Sequence, residues 1–168
     1  MDIIFNWNLN QFTKALKAND VAMARRLKQS RCFNVQTQSY EEYSYDQIYE
    51  GVPLLAWAAR DSEEAIVKLL LSEKANVNTV STSGCSALLF AVGWHRLTIV
   101  QLLIDANADV NLADQTKKTP LHNAASVGAD GPIKKLLAAK ASLNIRNENE
   151  ETPLMLAAEK GYAVAGRH

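Results

Sequence analysis

The sequence predicts an all-α solenoid of stacked helix-turn-helix units joined by short hairpins or turns, on three observations. Its 168 residues include only seven Gly and four Pro, too few for an all-β chain that turns about every 8 to 12 residues. Leu55, Leu88, Leu121 and Leu154 recur at 33-residue intervals (88−55, 121−88 and 154−121). Within each interval, two apolar segments at helical spacing follow in the same order. Units of this size bury their apolar side only by stacking on one another.

The same 33-residue interval holds at other positions of the sequence. Four further columns share it: Ala58, Ala91, Ala124 and Ala157; Leu70, Leu103 and Leu136; Ala75, Ala108 and Ala141; Asn78, Asn111 and Asn144. Columns that stay in phase over three periods are not a chance pattern, so the repeat is the basis of the fold prediction.

Residues 119–151 illustrate the elements expected in each unit. Thr119 caps a short first helix, and Pro120 at its first position gives up no needed hydrogen bond. That helix runs to Ser126, and Gly128 supplies the left-handed residue that ends it. The second helix places three apolar side chains on one face: Ile133, Leu136 and Leu137. The polar stretch 146–151 is then a turn that projects toward the next unit.

A seven-residue motif at the start of these units points to a known family. Residues 119–125 read Thr-Pro-Leu-His-Asn-Ala-Ala, and residues 152–158 differ mainly by Met155 in place of His. Residues 53–59 and 86–92 keep its small and apolar positions, and residues 75–78 and 108–111 read Ala-Asn-Val-Asn and Ala-Asp-Val-Asn. The sequence therefore resembles the ankyrin repeat family over about residues 50–165.

The predicted units divide the chain into six parts. They are a divergent N-terminal capping repeat at 1–35, an acidic Tyr-rich insertion loop at 36–52, full repeats at 53–85, 86–118 and 119–151, and a partial repeat at 152–168. The insertion adds roughly ten residues, because Val77 follows Val35 by 42 residues rather than 33. The partial repeat leads us to expect that the natural protein continues or that the chain is truncated.

Composition and motifs argue against several functions. Lys+Arg and Asp+Glu number 18 each, so neither nucleic acid nor a membrane surface is an expected partner. The histidines His95, His122 and His168 have no zinc-ligand spacing, and no phosphate-binding glycine motif is present. We expect no catalytic residues, cofactor or metal, and we expect His122 to form local hydrogen bonds around Thr119.

The resemblance implies a binding surface. In ankyrin proteins, the inter-repeat turns and the first helices line a concave groove that holds a partner protein. Position by position, the partner-binding candidates are Tyr43, Tyr45, Tyr49, Arg60, Asp61, Trp94, Gln115, Lys118, Val127 and Glu151. Aromatic and Arg side chains dominate interface energetics, which favours Trp94, Tyr49 and Arg60. The alternative for Trp94 is that its ring folds onto a neighbouring repeat.

Residues 40–50 hold four of the five tyrosines and four carboxylates, without a basic residue. Three interpretations stay open: a hairpin whose tyrosines pack on the first repeat, an exposed partner-binding finger, or a flexible acidic loop that is phosphorylated. The basic residues Arg25, Arg26, Lys28 and Arg31 fit a solvated helix face that pairs with this loop better than a nucleic-acid site.

These observations favour a non-enzymatic protein-interaction module that binds a protein or peptide and is monomeric by itself. The alternative is the substrate-recruiting ankyrin domain of a larger enzyme or of a host-directed bacterial effector. Cys32 and Cys85 are too few for a disulfide framework. With no secretory signal or apolar span in the sequence, the expected location is the cytoplasm, reached by delivery into a host cell if the chain is an effector.

Overall fold

The computed structural model describes residues 52–61, 64–72 and 74–162, and the predicted N-terminal repeat, the Tyr-rich loop and the end of the partial repeat lie outside them. Seven α-helices lie in the described residues. They are α1 (Leu54–Asp61), α2 (Glu64–Ser72), α3 (Ala87–Gly93), α4 (Leu97–Asp105), α5 (Pro120–Ser126), α6 (Asp130–Ala138) and α7 (Pro153–Glu159). Successive helices pair as helix-turn-helix units, which confirms the predicted all-α class.

The first helices of the units begin at hydroxyl caps, as the sequence predicts. The side-chain oxygens of Ser86, Thr119 and Thr152 accept hydrogen bonds from the backbone N–H groups three residues later. Proline follows the cap in α5 and α7. Each cap satisfies a donor that the first turn of a helix leaves unpaired.

The same helices end on left-handed residues spaced by one period. His95, Gly128 and Gly161 have φ of 55°, 65° and 74°. The next residue then donates its N–H across the helix end, as in Arg96 N to Ala91 O at 2.8 Å and Ala129 N to Ala124 O at 2.9 Å. His95 thus occupies a position where glycine is the less strained choice.

The helices stack in two rows. An inner row packs α1, α3, α5 and α7 in order, and an outer row packs α2, α4 and α6. The alanine column Ala58, Ala91 and Ala124 is fully buried, so the inner helices approach closely. Leu70, Leu103 and Leu136 fill the space between the rows. This continuous core is what a repeat array requires.

The prediction for the buried face of α6 is wrong at one residue. Leu137 is 42% exposed, whereas Leu136 is fully buried. Neighbouring positions on an α-helix are about 100° apart, and in α6 Leu136 takes the inward direction.

Candidate functional site

Three five-residue hairpin turns connect the described units. They are residues 81–85, 114–118 and 147–151, and in each the first N–H donates to the last carbonyl at 3.0 Å. Gly84, Lys117 and Glu150 adopt positive φ of 78°, 57° and 61° at the same position of the turn. A short polar side chain opens each turn and accepts the N–H of the last residue: Ser81 Oγ at 3.1 Å, Asp114 Oδ1 at 2.9 Å and Asn147 Oδ1 at 2.9 Å. These side chains hold the turns in one conformation.

Adjacent hairpin turns are joined directly. Gln115 donates its backbone N–H to Ser83 O at 3.1 Å and its side-chain amide to Thr82 O at 2.6 Å. One unit later, Glu148 N donates to Thr116 O at 2.9 Å. A Cβ on Gly84 would lie 2.7 Å from Gln115 N, so a larger residue at this turn requires the backbone to shift. The turns therefore form one continuous edge of the stack.

His122 links the two ends of its own repeat from inside the core. It is fully buried, and its Nδ1 lies 3.1 Å from Thr119 N and 2.8 Å from Thr119 Oγ1. Because a backbone N–H only donates, Nδ1 is the acceptor and Nε2 carries the proton, which it donates to Glu151 O at 3.0 Å. The predicted local bonding around Thr119 is confirmed. The contact with Glu151 was not anticipated, since 29 residues separate the partners.

The asparagine column also joins units. Asn78 Oδ1 accepts the N–H of Asp109 at 2.8 Å, and Asn111 Oδ1 accepts the N–H of Ser142 at 2.8 Å. In each of these bonds the acceptor and the donor lie in successive units. Only the 33-residue recurrence of Asn signalled this role.

A row of side chains lies at the C-terminal ends of the inner helices. We call Arg60, Trp94, Val127 and Lys160 the helix-end row. Trp94, Val127 and Lys160 are the C-cap residues of α3, α5 and α7, and Arg60 lies in the last turn of α1. Successive members therefore belong to successive units of the stack.

Trp94 is the most exposed aromatic residue of the described chain. Its side chain is 59% exposed, and the Arg60 guanidinium carbon lies 5.7 Å from its ring centroid. Arg96 Nη2 donates to Arg60 O at 3.1 Å. The ring therefore contacts the preceding unit through Arg60 and still presents most of its surface. Cation–π contacts of this kind hold an indole in place.

Beyond Trp94 the row becomes apolar and then ionic. Val127 is 44% exposed. Lys160 Nζ lies 3.5 Å from Glu159 Oε1, and in the neighbouring turn Arg146 Nη1 lies 3.7 Å from Glu150 Oε2. Two ion pairs therefore lie at this end of the row.

The other predicted binding residues lie in different settings. Gln115 and Lys118 belong to one hairpin turn, where the Gln115 amide is already bonded to the preceding turn. The Glu151 carboxylate accepts from Asn147 Nδ2 at 2.8 Å. Tyr43, Tyr45, Tyr49 and the side chain of Asp61 lie outside the described residues.

The described residues gather few groups that suit catalysis. Across 52–61, 64–72 and 74–162, no three His, Cys, Asp or Glu side chains group as metal ligands. The side-chain hydrogen bond from Thr98, followed by the contact with Lys68, lowers the pKa of the exposed Glu64 carboxyl. None of the seven described helices has the length and apolar character needed to cross a membrane.

Comparison with known proteins agrees with the repeat architecture. The family model described as ankyrin repeats (3 copies) matches residues 12–114 and 96–165. The match begins at residue 12, within the predicted N-terminal repeat, and so extends beyond the region at about 50–165 that carries the repeat motifs. No curated protein matches the chain. Ankyrin repeats are in general non-enzymatic and mediate protein–protein interactions. From its 33-residue units, paired helices and this match, the chain belongs to the ankyrin repeat family.

Proposed function

We propose that this chain binds a protein or peptide partner in a groove lined by the helix-end row and the hairpin turns, with help from the Tyr-rich loop at 36–52. Binding involves no cofactor and no chemical step. The observation that carries the proposal is Trp94, which is 59% exposed while Arg60 lies 5.7 Å from its ring centroid. A large side chain that is positioned before binding contributes contact area at a low entropic cost.

Rigidity of the surrounding scaffold supports this proposal. The hairpin turns are closed by their own side chains, and Gln115 and Glu148 join each turn to the one before it. A partner would therefore meet a surface whose backbone is already ordered. Preorganisation of this kind leaves more of the contact energy for affinity.

We further propose that the chain acts as a monomer in the cytoplasm.

The test begins with affinity capture from a cell lysate by the intact chain and by a chain that lacks residues 40–49. Each captured protein is then purified, and its dissociation constant is measured by calorimetry. Replacing Trp94, Tyr45 and Tyr49 by Ala should weaken binding by at least ~2 kcal/mol in sum, because aromatic residues dominate interface energies.

Leu137→Ala is the matched control, because Leu137 is also an exposed apolar residue but lies on the outer helix α6. It should leave the dissociation constant unchanged. Circular dichroism verifies that each variant is folded. A triple variant that binds its partner as tightly as the parent chain would refute the assigned surface.

A further inference from the structure

Two arginines, Arg60 and Arg96, lie close to the exposed ring of Trp94. The Arg60 guanidinium stands over that ring, and Arg96 Nη2 reaches the carbonyl of Arg60 at 3.1 Å. Two arginines that lie 36 residues apart in sequence therefore meet at one exposed indole. Next to Arg96, His95 is also exposed.

Arg96 has unused capacity to bind an anion. Its side chain is exposed, and within the described residues its guanidinium forms one hydrogen bond, to Arg60 O. A guanidinium has five N–H donors in a planar fork that matches a carboxylate.

The charge changes along the helix-end row. Val127, one unit beyond Trp94, adds an exposed apolar side chain. One unit farther, Lys160 is paired with Glu159, and Glu148 is exposed in the adjoining turn. Acidic groups of a partner therefore gain more beside the exposed guanidinium of Arg96 than beside Lys160, which already has a carboxylate partner.

Repeat spacing sets the length of a matching segment. Packed helices lie about 8–10 Å apart, and an extended polyproline II segment rises about 3.1 Å per residue with three residues per turn. Side chains three residues apart in such a segment lie on the same side, about 9 Å apart, and therefore reach two successive members of the row.

On the basis of the function proposed above, we propose that the partner contributes an extended acidic and apolar segment. One carboxylate of that segment binds Arg96, and the apolar side chain beside it packs on Trp94. A second apolar side chain, three residues farther along, packs on Val127. Charge complementarity to the exposed guanidinium of Arg96 is the reason for choosing an acidic partner over a basic one.

A random linear peptide library selected on the full chain tests this proposal. We expect the selected peptides to carry Asp or Glu beside an apolar residue, with a second apolar residue three positions away. Arg96→Glu should raise the dissociation constants of these peptides at least about tenfold, and the difference should shrink as salt is added. Trp94→Ala should also weaken them at least about tenfold.

Lys134→Glu is the matched charge reversal, because Lys134 is exposed on the outer helix α6. It should leave binding unchanged, and circular dichroism verifies that every variant is folded. If peptides without acidic residues are selected and bind the Arg96→Glu variant equally well, the acidic partner is refuted while groove binding stands. Peptides that bind the Trp94→Ala variant unchanged would refute both proposals.

Discussion

At the scale of single residues, the buried His122 ring performs a task that no apolar residue can. It bonds to the Thr119 N–H and the Glu151 carbonyl, which lie at opposite ends of the repeat at 119–151. A buried polar group without a partner costs about 1–3 kcal/mol. One unit earlier and one unit later, Leu89 and Met155 occupy the same position of the repeat. Among these three repeats, the one that begins with α5 is therefore the one with an imidazole ring at this position.

Replacing His122 by Ala should lower the free energy of unfolding by about 2–4 kcal/mol, since it leaves the buried Thr119 N–H unpaired and opens a cavity. Urea denaturation followed by circular dichroism measures the change. Met155→Ala is the control, because Met155 holds the equivalent position at 51% exposure and should cost under about 1 kcal/mol. Equal losses in the two variants would show that the ring's hydrogen bonds do not stabilise the stack.

At the scale of elements, the hairpin turns combine a positive φ with close contact between units. Gly84 and Gly161 have similar φ of 78° and 74°. A Cβ on Gly84 would meet Gln115 N at 2.7 Å, whereas a Cβ on Gly161 meets nothing within 4 Å. The pair of glycines therefore separates the cost of backbone conformation from that of crowding.

Gly161→Ala should destabilise the chain by about 1 kcal/mol, which is the cost of a left-handed residue with a Cβ. Gly84→Ala should cost roughly a further 1–2 kcal/mol, because the backbone at Gln115 must shift. Thermal unfolding of both variants, followed by circular dichroism, gives the comparison. If Gly161→Ala destabilises the chain more than Gly84→Ala does, the inference that close contact between the turns adds to the cost at Gly84 is contradicted.

At the scale of the whole molecule, stability depends on each unit having neighbours. Leu121 in α5 is 3% exposed, and α5 packs between α3 and α7. Leu154 holds the same register position in α7, the last described helix of the inner row, and is 72% exposed. Position in the stack, and not residue type, sets the burial of this leucine column.

Leu121→Ala should lower the free energy of unfolding by about 2–5 kcal/mol. Leu154→Ala should change it by under about 0.5 kcal/mol, as is usual for exposed sites. Urea denaturation followed by both tryptophan fluorescence and circular dichroism measures the two values. Similar losses from the two leucines would contradict the burial gradient along the stack.

The amino-acid sequence determined the period, the helix pairs and their ends. Thr119 and Pro120 start α5 where expected, and His95 falls in the left-handed position that Gly128 and Gly161 share. Such features depend on short-range backbone geometry, and the 33-residue recurrence repeats that information several times. The sequence therefore sufficed to predict the fold class, the family and the helix boundaries. The boundaries follow from caps, which depend on local backbone geometry.

Contacts between units were decided by the tertiary structure. Arg60, Trp94 and Arg96 meet because stacking brings α1 beside α3. Likewise, stacking engages the Gln115 amide with Thr82, and folding of the repeat at 119–151 places His122 against Glu151. Residue type gives the hydrogen-bonding capacity of each side chain, but its partner depends on distances that arise only when separate units pack together.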